Sequence, residues 1–190
     1  IAESNYVRAL SYVIKIKDKK LEIEALNSIG IIYYYMGNHK TSIDYFIRIL
    51  KLYEELNDKT HIAGSLSNIG IIFWKQGNYK QAFVYYTKAL KIFEEIKDKN
   101  GILGTLNNLG IIFNEKGDHK QAHSCYTKAI KLLKETNNKK MLSELLNNIG
   151  NNLNDQGQYD QAMISHSKAL KIRKKSGDNI KISSSLLNLG

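Results

Sequence analysis

The sequence predicts an all-α protein built as an α-α solenoid of helical hairpins. Glycine returns at two fixed phases of a gapless 40-residue period, apolar residues between the glycines recur three and four apart, and none of the 190 residues is proline. Proline removes a backbone donor and breaks helices, so its absence suits a chain that is helical almost throughout.

The period is carried by Ser28-Ile29-Gly30, Asn68-Ile69-Gly70, Asn108-Leu109-Gly110, Asn148-Ile149-Gly150 and Asn188-Leu189-Gly190, each 40 residues after the last. A second glycine follows seven residues later, at Gly37, Gly77, Gly117 and Gly157. Nine of the 13 glycines sit in these two phases, so structure places them. On this register the full repeats are 18–57, 58–97, 98–137 and 138–177. Residues 1–17 read as the outer helix of an earlier repeat, through Ala2, Tyr6 and Ala9, and 178–190 as the inner helix of a later one. Because the chain begins at Ile1, partway through a repeat, it is expected to be a fragment of a longer protein.

Each repeat opens on a residue suited to capping a helix: Asp18, Asp58, Asp98, Asn138 and Asp178. In 58–97 the first helix places Ile62, Leu66, Ile69, Gly70 and Phe73 on one face. Ile71 and Ile72 widen that face, so this inner helix should pack on more than one side. Gly77 supplies the left-handed residue that ends it, and Asn78 caps the next helix. The second helix buries Ala82, Tyr86, Ala89, Leu90 and Phe93, and turns Lys80, Gln81, Lys88, Lys91 and Glu95 to water. Inner helices are thus predicted near 20–36, 60–76, 100–116 and 140–156, and outer helices near 40–56, 79–97, 119–136 and 159–175. Gly70 and Ala82 should let two helix axes approach to the short end of the ~8–10 Å range. A single hairpin cannot bury its inner helix, whereas stacked hairpins can.

The pattern Leu66-x2-Ile69-Gly70-x2-Phe73 followed by Ala82-x3-Tyr86-x2-Ala89 resembles the tetratricopeptide repeat, with Leu where Trp is usual. The third repeat keeps it through Leu106, Leu109, Gly110, Phe113, Ala122, Tyr126 and Ala129. The fourth keeps Leu146, Ile149, Gly150, Ala162 and Ala169, with Leu153 and His166 where aromatics are usual. The first departs most: Ser42 and Ile49 replace alanines, so its hairpin is expected to pack more loosely. The resemblance covers the whole chain and implies a right-handed superhelix with the inner helices lining its concave face. A period of 40 is longer than the usual ~34 and similar to that of kinesin light chains, spindle-orientation adaptors and bacterial Rap-type regulators. Similar arrays also precede kinase, cyclase or DNA-binding output domains in bacteria. All these relatives imply a role in holding proteins or peptides; catalysis is not expected within this chain, which carries no glycine-rich phosphate loop and no zinc-protease motif.

On the concave face the residues not needed for packing are Asn27 and Ser28, Ser67 and Asn68, Asn107 and Asn108, Asn147 and Asn148, and Asn188. One turn on come Ile31, Ile71, Ile111 and Asn151, then Tyr34, Trp74, Asn114 and Asn154. An asparagine offers a donor and an acceptor at once, so a ladder of them suits a peptide backbone of any sequence. The other use of these amides is to bond neighbouring inner helices together. Trp74, the only tryptophan, is the expected anchor for an apolar side chain. Glu24, Lys75, Glu115, Glu144 and Asp155 line the same face, which argues against a basic clamp for an acidic chain terminus.

The net charge of +10 comes largely from outer-helix residues in register: Arg8, Arg48, Lys88, Lys128 and Lys168, then Lys51, Lys91, Lys131 and Lys171. Such a stripe suits phosphates, but a solvated helix face explains it equally, and the aromatics are expected away from it. Nucleic acid or an anionic surface is therefore an alternative partner, as is self-association through open ends or the convex face. His119 and His123 lack a completing ligand for a metal, and Cys125 and His123 face different ways, so no metal, cofactor or nucleophile–base pair is expected. No apolar run approaches the ~20 residues of a membrane span, and the lone Cys125 gives no sign of an oxidising compartment. The expectation is a cytoplasmic scaffold that binds proteins or extended peptides in its concave groove, as the sensor or adaptor region of a signalling protein.

Overall fold

A computed structural model describes residues 18–134 and 138–176, and the partial repeats expected at 1–17 and 178–190 lie outside them. Among the described residues there are eight α-helices and no strand. The helices run α1 Lys19–Tyr35, α2 His39–Glu55, α3 Lys59–Lys75, α4 Tyr79–Glu95, α5 Lys99–Glu115, α6 His119–Leu133, α7 Lys139–Asp155 and α8 Tyr159–Ser176. They fall into two compact units, one ending at Lys97 and the other beginning at Asp98.

Local chemistry accounts for each boundary. The side chains of Asp18, Asp58, Asp98 and Asn138 accept from backbone N–H groups in the first turns of α1, α3, α5 and α7. Asn38, Asn78 and Asp118 do the same for α2, α4 and α6, whereas α8 begins after Gln158. Gly77 adopts φ +72° and donates to Trp74 O, while the Asn78 N–H reaches Phe73 O, both at 2.9 Å. Gly37, Gly117 and Gly157 repeat that left-handed geometry. Between hairpins the same conformation is taken by Asn57 (φ 54°) and Lys97 (φ 57°), without a glycine.

In the first unit Leu26, Ile29 and Ile69 are fully buried and pack with Ile43, Phe46, Ile49 and Ile72. Along α3 the buried residues are Ala63, Ser65, Leu66, Ile69, Gly70 and Ile72, whereas Ile62 and Phe73, expected on this face, are half-buried. The helix is shared between two neighbours, α2 and α4, so its contact face is rotated from a single-sided stripe. Gly70 does bring its helix close to α4, but the group it admits is the Tyr86 ring: a Cβ on Gly70 would lie 2.7 Å from Tyr86 Cε1. The first hairpin is not loose. Ser42 is fully buried and its hydroxyl donates to Gly30 O at 2.8 Å, so the residue that breaks the alanine pattern ties α2 to α1.

In the second unit Gly110 admits the Tyr126 ring in the same way, and Gly150 admits the His166 imidazole. Leu103, Ile112, Leu145, Tyr126 and His166 are buried among α5–α8. Salt bridges Lys19–Glu55 and Lys59–Glu95 join the start of an inner helix to the end of its outer partner, each on an exposed surface where such pairs add little stability.

Candidate functional site

In the first unit α1 and α3 flank two open clefts, and Asn27 and Asn68 line both of them over Phe46 of α2. Both amides are exposed, and neither bonds to another described residue. Towards the C-terminal ends of the helices the cleft is apolar, about 250 Å³, walled by Ile31, Tyr34 and Tyr35 of α1 and Ile71 of α3. Ile31 is 39% and Tyr35 82% exposed. Tyr34 leans edge-on against Tyr35, ring centroids 5.5 Å apart. Trp74, one turn beyond Ile71, is half-buried, and the Lys75 ammonium lies 4.7 Å from its ring centre.

Towards the N-terminal ends the cleft is mixed: Glu24 of α1, Tyr53 of α2, and Thr60, His61 and Gly64 of α3 stand over an apolar floor of Ile23, Phe46 and Ile49. The Tyr53 and His61 rings stack at 4.7 Å. His61 Nδ1 lies 2.7 Å from Asp58 Oδ2, and the backbone N–H of His61 is the main reason that the Asp58 pKa is lowered. Burial, then the negative charges of Asp58 and Glu24, raise the pKa of Tyr53.

The second unit uses its amides differently. Asn107 is 8% exposed and accepts from Asn148 Nδ2 at 2.8 Å, which ties α5 to α7. Asn108 and Asn147 are half-buried, and Arg173 Nη1 donates to Asn147 Oδ1 at 3.5 Å. Asn114 donates to Asp155 and accepts from Asn152 at 2.6 Å. Ile111 is half-buried and Asn151 exposed. Asn152 itself, fully buried where the other repeats carry Ile32, Ile72 and Ile112, is the centre of this network and also accepts from Gln156 at 2.9 Å. Its signal in the sequence was that break in the isoleucine register, and the pattern of concave-face positions passed over it.

Other candidates resolve into structure. Cys125 is buried, and burial raises the pKa of its thiol, the opposite of an activated nucleophile. Among the described residues no three His, Cys, Asp or Glu side chains gather as a metal-binding set. His119 Nδ1 instead meets Asn114 Oδ1 at 3.1 Å. The described stripe residues are exposed, as expected, but two tyrosines do stand beside the stripe: Arg48 lies 6.0 Å over Tyr45 and Lys88 5.7 Å over Tyr85. Both rings are half-buried and stacked inwards, on Tyr33 and Phe73, because the outer helix needs them for packing. No described helix is long and apolar enough to cross a membrane.

Two family models, both described as tetratricopeptide repeat, match the chain, one over residues 21–95 and 61–135 and the other over 143–176. No curated protein sequence matches it significantly. Among solved structures it is similar to BtubC (BKLC) from P. vanneervenii, at 19% identity and a TM-score of 0.85, over 98% of this chain and 80% of that one. It is also similar to aspartyl phosphate phosphatase F from Bacillus subtilis, at 25% identity and a TM-score of 0.86, over 96% of this chain and 48% of that one. A third similar structure is MamA, at 20% identity and a TM-score of 0.64, over 90% and 89% of the two chains. The chain thus spans about half the length of the phosphatase.

Proposed function

The chain belongs to the tetratricopeptide repeat family, and from that membership and the clefts of its first unit we propose that it holds an extended segment of a partner protein on the exposed faces of its inner helices. The observation that carries this reading is the pair Asn27 and Asn68: exposed, bonded to no other described residue, and set between an apolar cleft and one of mixed character. Each amide offers a peptide group one donor and one acceptor, which fixes a backbone without demanding a particular side chain. Ile31, Tyr34 and Ile71 then receive an apolar side chain, and Trp74 adds an aromatic edge on the last turn of α3. In the second unit Asn108 and Asn151 are amides that no bond to another described residue engages, and Ile111 occupies in its repeat the phase that Asn151 occupies in the next. Asn107, Asn114, Asn147 and Asn148 are part of the scaffold that presents them.

The test is capture of partners from a lysate by the wild type and by Asn68→Ala/Asn108→Ala, followed by affinity measurement on any partner recovered. Loss of these hydrogen bonds should weaken binding by about 1 kcal/mol or more. Equal capture with equal affinity would mean that the inner-helix faces are not the binding surface. A second reading, self-association, has one observation in its favour: Tyr159, Met163 and Ile164 of α8 are 70%, 55% and 52% exposed. A sedimentation coefficient that rises with concentration and is flattened by Met163→Lys/Ile164→Lys would support it.

A further inference from the structure

The repeats act as internal controls for the mixed cleft. At the phase of Glu24 they carry Glu24, Gly64, Gly104 and Glu144, and at the phase of Tyr53 they carry Tyr53, Phe93, Leu133 and Arg173. A carboxylate therefore occurs at this phase only in the first and fourth repeats. The fourth supplies a guanidinium at the companion phase, and Arg173 is 6% exposed, packed inside the fold. The first supplies a neutral tyrosine ring instead, and the space beside it is the open cleft that carries the Glu24 carboxylate on its wall. No described residue pairs with the Glu24 carboxylate, whereas Asp58 is already engaged by His61. The opposite wall is Gly64, where an added Cβ would meet nothing within 4 Å, so the cleft has room for a side chain from outside. A carboxylate and two amide oxygens beside the Tyr53–His61 stack surround one open space and form a site for a cation through charge-assisted hydrogen bonds.

The apolar cleft lies on the other side of the same two amides. In an extended chain, successive side chains point to opposite sides of the backbone. A backbone crossing α1 and α3 at Asn27 and Asn68 therefore sends one side chain towards Glu24 and its immediate neighbour towards Ile31. We propose that the first unit recognises an extended peptide in which an arginine or lysine stands directly beside a large apolar residue, the cation entering the Glu24–Tyr53 cleft and the apolar side chain the Ile31–Tyr34–Ile71 cleft. The proposal rests on the reading above, that a backbone is held at these amides, and adds the side chains that the site selects.

The probe is an immobilised library of acetylated, amidated octapeptides with all positions randomised, screened with the full 190-residue chain. Enriched peptides are then measured by fluorescence anisotropy. The expected enrichment is Arg or Lys adjacent to Leu, Ile, Phe or Met. Glu24→Gln should weaken those peptides by about three- to fivefold and remove the basic preference, leaving the apolar one. Ile31→Ser should do the converse, and Asn27→Ala/Asn68→Ala should weaken every peptide alike. Both single variants alter exposed positions, and unchanged unfolding midpoints establish that they fold. Enrichment of acidic or neutral neighbours, or a basic preference that survives Glu24→Gln, overturns this inference while binding that depends on Asn27 and Asn68 leaves the backbone reading standing. No enrichment at all, or binding indifferent to the asparagine pair, overturns both for this unit.

Discussion

Replacing Gly70 by alanine adds one methyl group at the most crowded glycine of the first unit. The new Cβ would lie 2.7 Å from Tyr86 Cε1 and 2.9 Å from Cδ1, inside van der Waals contact. Tyr86 is 2% exposed, so its ring has no free space to retreat into, and the α3–α4 pair must open instead. Overpacking of this kind costs about 1–3 kcal/mol, against which alanine returns ~1 kcal/mol of helix propensity. The net expectation is a loss of about 0–2 kcal/mol for Gly70→Ala, and more for Gly70→Leu. The same chain supplies graded controls. Gly64 sits in the middle of α3 with nothing within 4 Å of an added Cβ, so Gly64→Ala should gain about 0.5–1 kcal/mol. Gly30 is intermediate, with Phe46 Cε2 at 3.2 Å, and Gly30→Ala should be near neutral. Urea unfolding followed by far-ultraviolet circular dichroism gives the order of midpoints: Gly64→Ala above wild type, Gly30→Ala near it, Gly70→Ala below. Tyr86→Leu should reduce the penalty of Gly70→Ala when the two are combined, since the clash is with the ring. A Gly70→Ala midpoint as high as that of Gly64→Ala would refute the close-approach account.

Three further predictions concern the rest of the chain. Burial, and then the positive charge of Arg173, lower the pKa of His166 below its unfolded value of ~6.5, so its neutral form stabilises the fold fully above that pH. Stability should fall as pH drops below ~6.5 and towards the folded pKa, and the difference in unfolding free energy between wild type and His166→Tyr should change with pH over that window. A pH-independent difference would show that the imidazole does not titrate on unfolding. Gln158→Asn should restore the cap that Asn38, Asn78 and Asp118 provide elsewhere and raise the midpoint by the equivalent of about 0.5–1 kcal/mol; no change would mean that α8 is capped by another group. Single-stranded oligonucleotides should bind only weakly at low salt and be lost with Lys88→Glu/Lys128→Glu, whereas tight binding at physiological salt would promote the outer stripe above the inner-helix clefts.

The period, the hairpin boundaries and the capping residues were legible without coordinates because they rest on local rules. Gly77 must take a positive φ, Asp58 and Asn78 have only short-range partners, and the three-and-four spacing of Leu66, Ile69 and Ala82, Tyr86, Ala89 follows from helix geometry. These interactions lie within a few residues of one another, so one-dimensional order specifies them. Contacts between helices were less legible. The sequence marks Gly70 as a close approach, but not that a tyrosine ring sixteen residues later fills the space. It marks rows of asparagines, but an asparagine reads the same whether it bonds to no other described residue, as with Asn27 and Asn68, or is committed across helices, as Asn107 and Asn148 are. The difference depends on the rotation and separation of neighbouring inner helices, which every buried side chain between them sets jointly. Glu24, Tyr53 and His61 show the same limit: they are far apart in the chain, and only the packing of α1, α2 and α3 makes them the walls of one cleft.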